Sequence, residues 1–203
     1  MANPALQLID FPTPRRGSGP ARTELGEFPA ALRQLPRGVS VITFGEAGKF
    51  FGLTGTSVSP LSRDPPTILV SVDRSSAIAQ EFLASAAFGV SVLAADDDAL
   101  ADRFLEGAGI ADLELRRGGV WVSPSSGVPL LAGAVAAFDC QLEDIMESHG
   151  HAILVGRVRG VRVPGKSSAL VYWRGAYNQL GWTEDEISRA VGLGPVRLSA
   201  TPN

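Results

Sequence analysis

The segment Gly52–Asp73 reads GLTGTSVSPLSRDPPTILVSVD and joins a polar run to an apolar one. After Pro65 and Pro66, the β-prone run Thr67–Val72 predicts a buried strand. Glycines allow a backbone to approach a ligand closely, and clustered N–H and O–H donors suit an anion or the polar edge of a ring. The polar half is therefore either a ligand-binding loop or a Ser/Thr-rich surface turn. Its hydroxyl residues are Thr54, Thr56, Ser57 and Ser59.

The composition predicts a globular domain and excludes several classes of function. The chain has 203 residues, of which 45% are hydrophobic and 19% charged. A net charge of −3 without a basic stripe argues against a nucleic-acid partner. No apolar run is long enough to span a bilayer, and no signal-peptide core is present near the start. The single cysteine, Cys140, cannot form an internal disulfide, and no Cys/His cluster has zinc-ligand spacing. We therefore expect a cytoplasmic protein without a metal or membrane partner.

Alternating and apolar segments predict a mainly β protein. The predicted strands are 39–44, a strand from Phe50, 67–72, 88–93, a short strand at 120–122, a long hairpin of 134–142 with 151–163, and 169–173. The remainder of 106–132 is predicted to be irregular. Three short helices are predicted: 25–35, 78–83 with Ser75 or Ser76 as N-cap, and one starting at 96–98 with Leu100 and Phe104 facing inward. Many strands with few helices favour a closed antiparallel barrel with peripheral helices.

The composition also divides the chain. Residues 1–23 are rich in proline and are predicted to form a flexible arm. Residues 24–180 form the predicted domain. Residues 181–203 form a C-terminal extension, in which 182–192 favour a weak helix.

The segment Gly160–Ser167 matches the phosphate-binding pattern G-x-x-x-x-G-K-S. A P-loop requires this pattern between a buried strand and a helix. Here the first half continues the strand that starts at His151, and the second half leads into the β-prone run 169–173. Pro164 also removes the N–H before Gly165. We interpret the match as a strand end and a turn, and do not expect nucleotide hydrolysis.

The order of several short motifs resembles the flavin reductase-like family, which includes the reductase components of two-component flavin monooxygenases. The motifs lie at 36–43 (PRGVSVIT), 52–57 (GLTGTS), 62–66 (SRDPP), 88–93 (FGVSVL), 101–104 (ADRF), 133–140, 150–158 and 170–177 (LVYWRGAY). The resemblance covers about 28–180. It implies a six-stranded antiparallel split β-barrel of the Greek-key type, with peripheral α-helices, that binds flavin at a homodimer interface. It also implies an NAD(P)H-dependent reductase that supplies reduced FMN or FAD to a partner monooxygenase.

The same resemblance assigns the residues of the site. Flavin-binding residues would be Gly52, Leu53, Thr54, Thr56, Ser57, Ser71, Val72 and Asp73, with Ser76 near the flavin phosphate at a helix start. Nicotinamide-binding residues would be His151, Arg174, Gly175 and Tyr177. His151 would position the nicotinamide, although its motif is His-Gly-His where the family usually has Gly-Asp-His, and a lone histidine at a strand start is more often structural. Ala176 stands where the family often has Arg, which leaves the choice between NADH and NADPH open.

Hydride transfer from nicotinamide to flavin needs ring stacking and exclusion of water, but no side-chain acid or base in the transfer itself. No catalytic nucleophile is therefore predicted, and the absence of a G-x-G-x-x-G fingerprint fits a fold without a Rossmann crevice. Two alternatives remain. One is a flavin-binding electron carrier, or another reductase of this fold, with tightly bound flavin. The other is a barrel without enzymatic activity. The sequence does not distinguish FMN from FAD.

Overall fold

The computed structural model of the protein describes residues 26–46, 49–76, 78–105, 107–110, 119–166 and 168–182. The helices are α1 (Phe28–Leu32), α2 (Ala79–Ala84) and α3 (Asp98–Arg103). The first strands are β1 (Arg37–Gly38), β2 (Ser40–Glu46), β3 (Lys49–Gly55), β4 (Val58–Arg63), β5 (Pro66–Asp73), β6 (Ala87–Val92) and β7 (Ala108–Ile110). They are followed by β8 (Trp121–Val122), β9 (Leu130–Leu131), β10 (Ala136–Ser148), β11 (His151–Arg162), β12 (Ser168–Trp173) and β13 (Ala176–Gly181). The predicted arm and all but two residues of the predicted C-terminal extension lie outside the described residues.

Eight strands form one antiparallel sheet in the order β4-β5-β11-β10-β6-β2-β3-β7. Strands β3 and β4 lie near opposite ends of this order, yet only Thr56 and Ser57 connect them. A connection of this length spans at most about 11 Å. The sheet must therefore curl until its two ends meet, and the predicted mainly β, antiparallel architecture is confirmed.

The strand count differs from the expected six, because β4 and β7 extend the sheet at its two edges. Strand β4 was not predicted, because it lies in a polar run that contains Pro60. A proline is nevertheless compatible with an edge strand that carries a bulge. The pairing of β4 with β5 does shift register between Pro60 and Ser62. Strands β7, β8 and β9 lie within 106–132, where only 120–122 was predicted as a strand. The six strands between the two edges include every long strand that the sequence predicts for this sheet.

A second, three-stranded sheet has the order β1-β12-β13. Only Arg174 and Gly175 connect β12 to β13, and both have positive φ, of 52° and 87°, as in a tight type I′ hairpin turn. Strand 169–173 was predicted to be the last strand, so β13 was missed. The hairpin brings Tyr172 directly opposite Tyr177.

The core consists of two apolar clusters on opposite faces of β2. Val41 belongs to one cluster and Ile42 to the other, and successive residues of a strand point to opposite faces. One cluster fills the interior of the curled sheet and includes Phe44, Phe82 and Phe88. The other packs beneath α3 and includes Leu100 and Phe104, which confirms their predicted inward orientation. Because both faces of β2 are covered, its residues from Val41 to Phe44 are all buried.

The helices are short and peripheral. None of the described ones is long and apolar enough to cross a membrane. Helix α1 has no buried residue, and Phe28 and Leu32 on its apolar face are exposed. The amphipathic pattern therefore predicted the helix correctly, but its apolar side does not pack on the described core.

The P-loop-like segment is not a phosphate loop. Gly160 lies within β11, and β12 starts at Ser168, so the segment has a strand on each side. The ammonium group of Lys166 lies 3.6 Å from the carboxylate of Asp96. The interpretation as a strand end and turn is confirmed.

Cys140 is expected to resist thiol reagents in the folded protein. Its side chain is fully buried in the barrel, and this burial raises the pKa of the thiol to about 12, with a further contribution from Asp139. The thiolate is the reactive form of cysteine. With this raised pKa, only about one Cys140 side chain in 10,000 is ionised at pH 8. Labelling with dithionitrobenzoate should be fast in guanidinium and at least about 100-fold slower in buffer. Fast labelling of the folded chain would contradict this burial.

Candidate active site

The hydroxyl-rich end of β3 is tied to the end of helix α3. The backbone N–H of Thr54 donates to the carbonyl oxygen of Phe104 at 2.9 Å, and the Thr54 hydroxyl donates to the carbonyl oxygen of Ala101 at 2.7 Å. These two hydrogen bonds fix the edge of strand β3 against the end of helix α3. The side chain of Leu53 packs against the interior core instead, and Gly52 is buried.

A cavity of about 430 Å³ lies against this edge and against the β12–β13 hairpin. Four of the predicted site residues line it: Thr54 and Thr56 of the predicted flavin set, and Gly175 and Tyr177 of the predicted nicotinamide set. Its other lining residues are Val39, Asp102, Leu105, Tyr172 and Ala176. Residues from two distant segments, both singled out in the sequence, therefore meet at one cavity.

Two tyrosines form an aromatic wall of this cavity. The rings of Tyr172 and Tyr177 lie edge to face, with their centroids 5.8 Å apart. The guanidinium of Arg37 lies 5.8 Å from the centroid of the Tyr172 ring. Burial raises the pKa of Tyr177, and its hydrogen bond to Asp102 raises it further. Both effects favour the protonated form of the Tyr177 hydroxyl.

A second group of predicted residues lies at the end of β5, next to the same connection between β3 and β4. The hydroxyl of Ser57 donates to the carbonyl oxygen of Ser71 at 2.6 Å. Val72, the next residue, is buried in the interior core, so only its backbone is available to a ligand. Asp73 lies directly opposite His151 on β11.

Ser75 and Ser76 do not cap a helix as predicted. The N-cap position of α2 is Ile78, and no side chain caps it. The Asp73 carboxylate instead accepts hydrogen bonds of 2.8 Å from both the backbone N–H and the hydroxyl of Ser75, and these bonds lower the pKa of Asp73. The hydroxyl oxygen of Ser76 is buried and has no hydrogen-bond partner among the described residues. An unpartnered buried hydroxyl is costly, so this oxygen is suited to a ligand.

His151 is the exposed first residue of β11. Its Nδ1 lies 3.2 Å from the carbonyl oxygen of His149. The turn 148–150 that precedes it was predicted correctly, since His149 and Gly150 both have positive φ. The histidine is thus close in sequence to a tight turn and adjacent to Asp73 across the sheet.

Arg174 is directed away from the cavity. Its Nε donates to the side-chain oxygen of Gln34 at 2.9 Å, and its guanidinium lies 4.4 Å from the centroid of the Trp173 ring. It is not one of the residues that line the cavity. The structure therefore brings Gly175 and Tyr177, but not the Arg174 side chain, to the cavity with Thr54 and Thr56.

Sequence reasoning missed Asp102, Leu105 and Tyr172 as cavity residues. A signal for Asp102 and Tyr172 was present, because both lie in motifs that carried the family resemblance, 101–104 and 170–177. Neither motif indicated that the two segments meet, since the contact depends on the register of the unpredicted strand β13.

Replacing Thr54 with valine is expected to lower the free energy of unfolding by about 1 kcal/mol. Valine has nearly the same shape but cannot donate to the Ala101 carbonyl, so the link between β3 and α3 is weakened. Thr54→Ser keeps the hydroxyl and should stay close to the wild-type protein. Urea unfolding of the three proteins checks this, and an equally large loss in the serine variant would show that the methyl group, not the hydrogen bond, matters.

The residues present fit a flavin and a second ring-bearing ligand. The cavity combines hydroxyl groups with an aromatic wall, as sites for flat polar ligands do, and the orphaned Ser76 hydroxyl offers a donor for a phosphate.

The curled antiparallel sheet, with this cavity beside the connection between β3 and β4, defines a mainly β protein of the antiparallel class. The comparison with known proteins makes this more specific: residues 32–181 match the flavin reductase like domain, and the chain belongs to that family.

Relatives and solved structures agree with this assignment. The chain is 30% identical over 159 residues to the FMN reductase (NADH) RutF of Ancylobacter novellus, covering 78% of this chain and 87% of that protein. It is similar to BorF, the flavin reductase component of a bacterial two-component tryptophan halogenase, with 30% identity and a TM-score of 0.69 over 78% of this chain and 99% of BorF. It is also similar to the NADH:FAD oxidoreductase SgcE6 of Streptomyces globisporus, solved with NAD and FAD fragments, with 25% identity and a TM-score of 0.68 over 81% and 98% of the two chains.

Proposed function

We propose that the protein is an NAD(P)H-dependent flavin reductase that reduces FMN or FAD by hydride transfer and releases reduced flavin. The observation that carries this proposal is the cavity where Thr54 and Thr56 meet Gly175 and Tyr177. A flavin reductase must hold two rings in contact, and this cavity joins the residues assigned to each ring. The name of the RutF relative supports FMN and NADH, and that of SgcE6 supports FAD and NADH.

Bound flavin would supply the acceptor for the hydride that leaves the nicotinamide. The protein's own residues bind, orient and exclude water. Thr56 presents its hydroxyl along one side of the site, and Thr54 and Ser57, whose hydroxyls donate to backbone carbonyls, present hydroxyl oxygens that still accept. Ser76 offers its unpartnered hydroxyl to the flavin phosphate. Tyr177 presents its ring to the nicotinamide side. The aromatic wall and Leu105 keep water from the reacting rings.

We further propose that the protein works as a homodimer and supplies a flavin-dependent monooxygenase. The large exposed apolar side chains of α1, of the end of β13 and of the residue that follows it support a protein interface; they include Phe28, Leu32, Leu180 and Trp182. The similarity to BorF, a component of a two-component system, supports a separate oxygenase partner. Light scattering coupled to gel filtration tests the dimer.

Anaerobic rapid mixing tests the reductase activity. Purified protein is mixed with FMN or FAD and with NADH or NADPH, and the oxidised-flavin absorbance is followed. Bleaching of flavin in large excess over protein is the expected result, and the four combinations set both preferences. Bleaching of one equivalent only would favour a bound prosthetic group in an electron carrier. If no combination bleaches, the proposed activity is wrong.

His151→Ala is expected to slow hydride transfer about tenfold and to leave flavin affinity unchanged, because a small misplacement of the nicotinamide is costly. His151 lies across from Asp73, next to the predicted flavin site. His149→Ala is the matched control, because it removes the chain's other histidine from the same turn. Single-turnover kinetics measures the rate of hydride transfer, and flavin titrations measure flavin affinity separately. Equal rates in both variants would remove the positioning role of His151.

A further inference from the structure

The cavity carries a negative charge that has no part in the binding and orientation roles described above. Of the described residues that line it, only Asp102 is charged. Asp102 is next to Ala101, whose carbonyl oxygen accepts the Thr54 hydroxyl bond, so α3 is held in place against β3. The carboxylate also accepts the hydrogen bond from Tyr177. The position of Asp102 on α3 therefore sets its carboxylate at the cavity, and its side chain is open to solvent.

Other charged groups near the aromatic wall lie on neighbouring elements. Asp98, one turn before Asp102 on α3, also acts electrostatically on the Tyr177 hydroxyl. The guanidinium of Arg37, on β1, lies over the ring of Tyr172. Arg37 is not among the residues that line the cavity. The charge that faces the cavity itself is thus the carboxylate of Asp102.

Two aromatic rings with a carboxylate are the surroundings that a flat cationic ring prefers. Aromatic faces attract cations through the ring quadrupole, and a carboxylate adds a direct Coulomb attraction. The nicotinamide ring is neutral when reduced. It becomes a cation when its C4–H bond breaks and the hydride, with both electrons, leaves for the flavin. The nucleotide is thereby oxidised and the flavin reduced, so positive charge develops on the nicotinamide during the reaction.

We propose that Asp102 is a specificity-determining residue that distinguishes the redox state of the nicotinamide, binding the cationic oxidised ring in preference to the neutral reduced one. The inference rests on the proposed function and names a group that the family resemblance left without a role. The same charge stabilises the positive ring as it forms, so it lowers the barrier to hydride loss. Because Asp102 is exposed, water and salt screen its charge, and we expect an effect of about three- to tenfold on NAD⁺ affinity.

The test compares equilibrium binding of NAD⁺ and NADH to the full chain without flavin, so that no turnover occurs. NADH binding is followed by its fluorescence, and NAD⁺ binding by displacement of NADH. Asp102→Asn keeps the shape and an oxygen that accepts from Tyr177, and removes only the charge. It should weaken NAD⁺ about three- to tenfold and leave NADH within about twofold. Added salt should reduce the preference of the wild-type protein for NAD⁺.

Asp96→Asn is the matched control, because Asp96 is exposed, close in sequence, paired with Lys166 and not among the cavity residues. It should change neither affinity. An Asp102→Asn variant that loses affinity for both nucleotides equally, or for neither, overturns the inference and leaves the proposed function intact. A wild-type protein that binds neither nucleotide overturns the inference, and the anaerobic mixing experiment then decides the proposed function separately.

Discussion

Gly156→Ala is expected to lower the free energy of unfolding by about 2–3 kcal/mol. A Cβ atom at Gly156 would lie 2.6 Å from Cε1 of Phe88 and 3.1 Å from Cβ of Cys140. The Phe88 ring is 1% exposed and packs against Phe82. It has no open space to move into, so β11 or the aromatic core must shift. Urea unfolding monitored by circular dichroism measures the effect.

Gly160→Ala is the matched control on the same strand. A Cβ atom there would lie 3.5 Å from Cβ of Asp139, which is an ordinary contact. Both substitutions restrict the unfolded chain equally, so the difference between them isolates the steric conflict in the core. We expect Gly160→Ala to stay within about 1 kcal/mol of the wild-type protein. Equal stability of the two variants would show that the ring of Phe88 is not confined as described.

Tyr177→Ala is expected to lower kcat/KM for the nicotinamide nucleotide by about a hundredfold. The substitution removes half of the aromatic wall and the hydroxyl group that interacts with Asp102. The nicotinamide then loses its packing surface and water enters the cavity. Flavin affinity should change much less, because the predicted flavin residues lie on β3, in the connection that follows it, on β5 and, for Ser76, just after β5. Steady-state kinetics with varied NADH and a separate flavin titration provide both values.

Tyr177→Phe keeps the ring and removes only the hydroxyl. The kcat/KM of this variant should fall by less than about tenfold, because a single hydrogen bond to an exposed carboxylate contributes little free energy. A phenylalanine variant as impaired as the alanine variant would mean that the hydrogen bond to Asp102, rather than the ring, is what the nucleotide needs. An alanine variant with unchanged kinetics would remove Tyr177 from the proposed site.

The long strands were predictable because their patterns are strong. The hairpin of β10 and β11 alternates over more than ten residues, and its turn at 148–150 contains glycine. The short strands were not predictable, because their pairing depends on partners far along the chain. Strand β7 has three residues and pairs with β3, and β4 contains a proline that argues against a strand.

The site was predictable in part. The motif 52–57 and the motif 170–177 both indicated ligand contacts, and Thr54 and Tyr177 do line one cavity. Orientation within a motif was not predictable. Arg174 and Tyr177 are three residues apart, yet the left-handed turn at Arg174 and Gly175 directs the arginine to Trp173 and Gln34. A serine pair before a helix predicts an N-cap, but the backbone N–H and the hydroxyl of Ser75 donate to the Asp73 carboxylate instead.

The two residues between β3 and β4 hold the ends of the curled sheet together and also belong to the proposed flavin site. Any ligand that bonds Thr56 or Ser57 therefore binds the closed sheet and not the open one. Its binding energy adds to the free energy of unfolding in proportion to the logarithm of its concentration. A protein that releases its flavin after each turnover would then alternate between a more stable, flavin-bound barrel and a less stable, flavin-free one. The thermal stability of the protein in the cell would therefore depend on the concentration of free flavin.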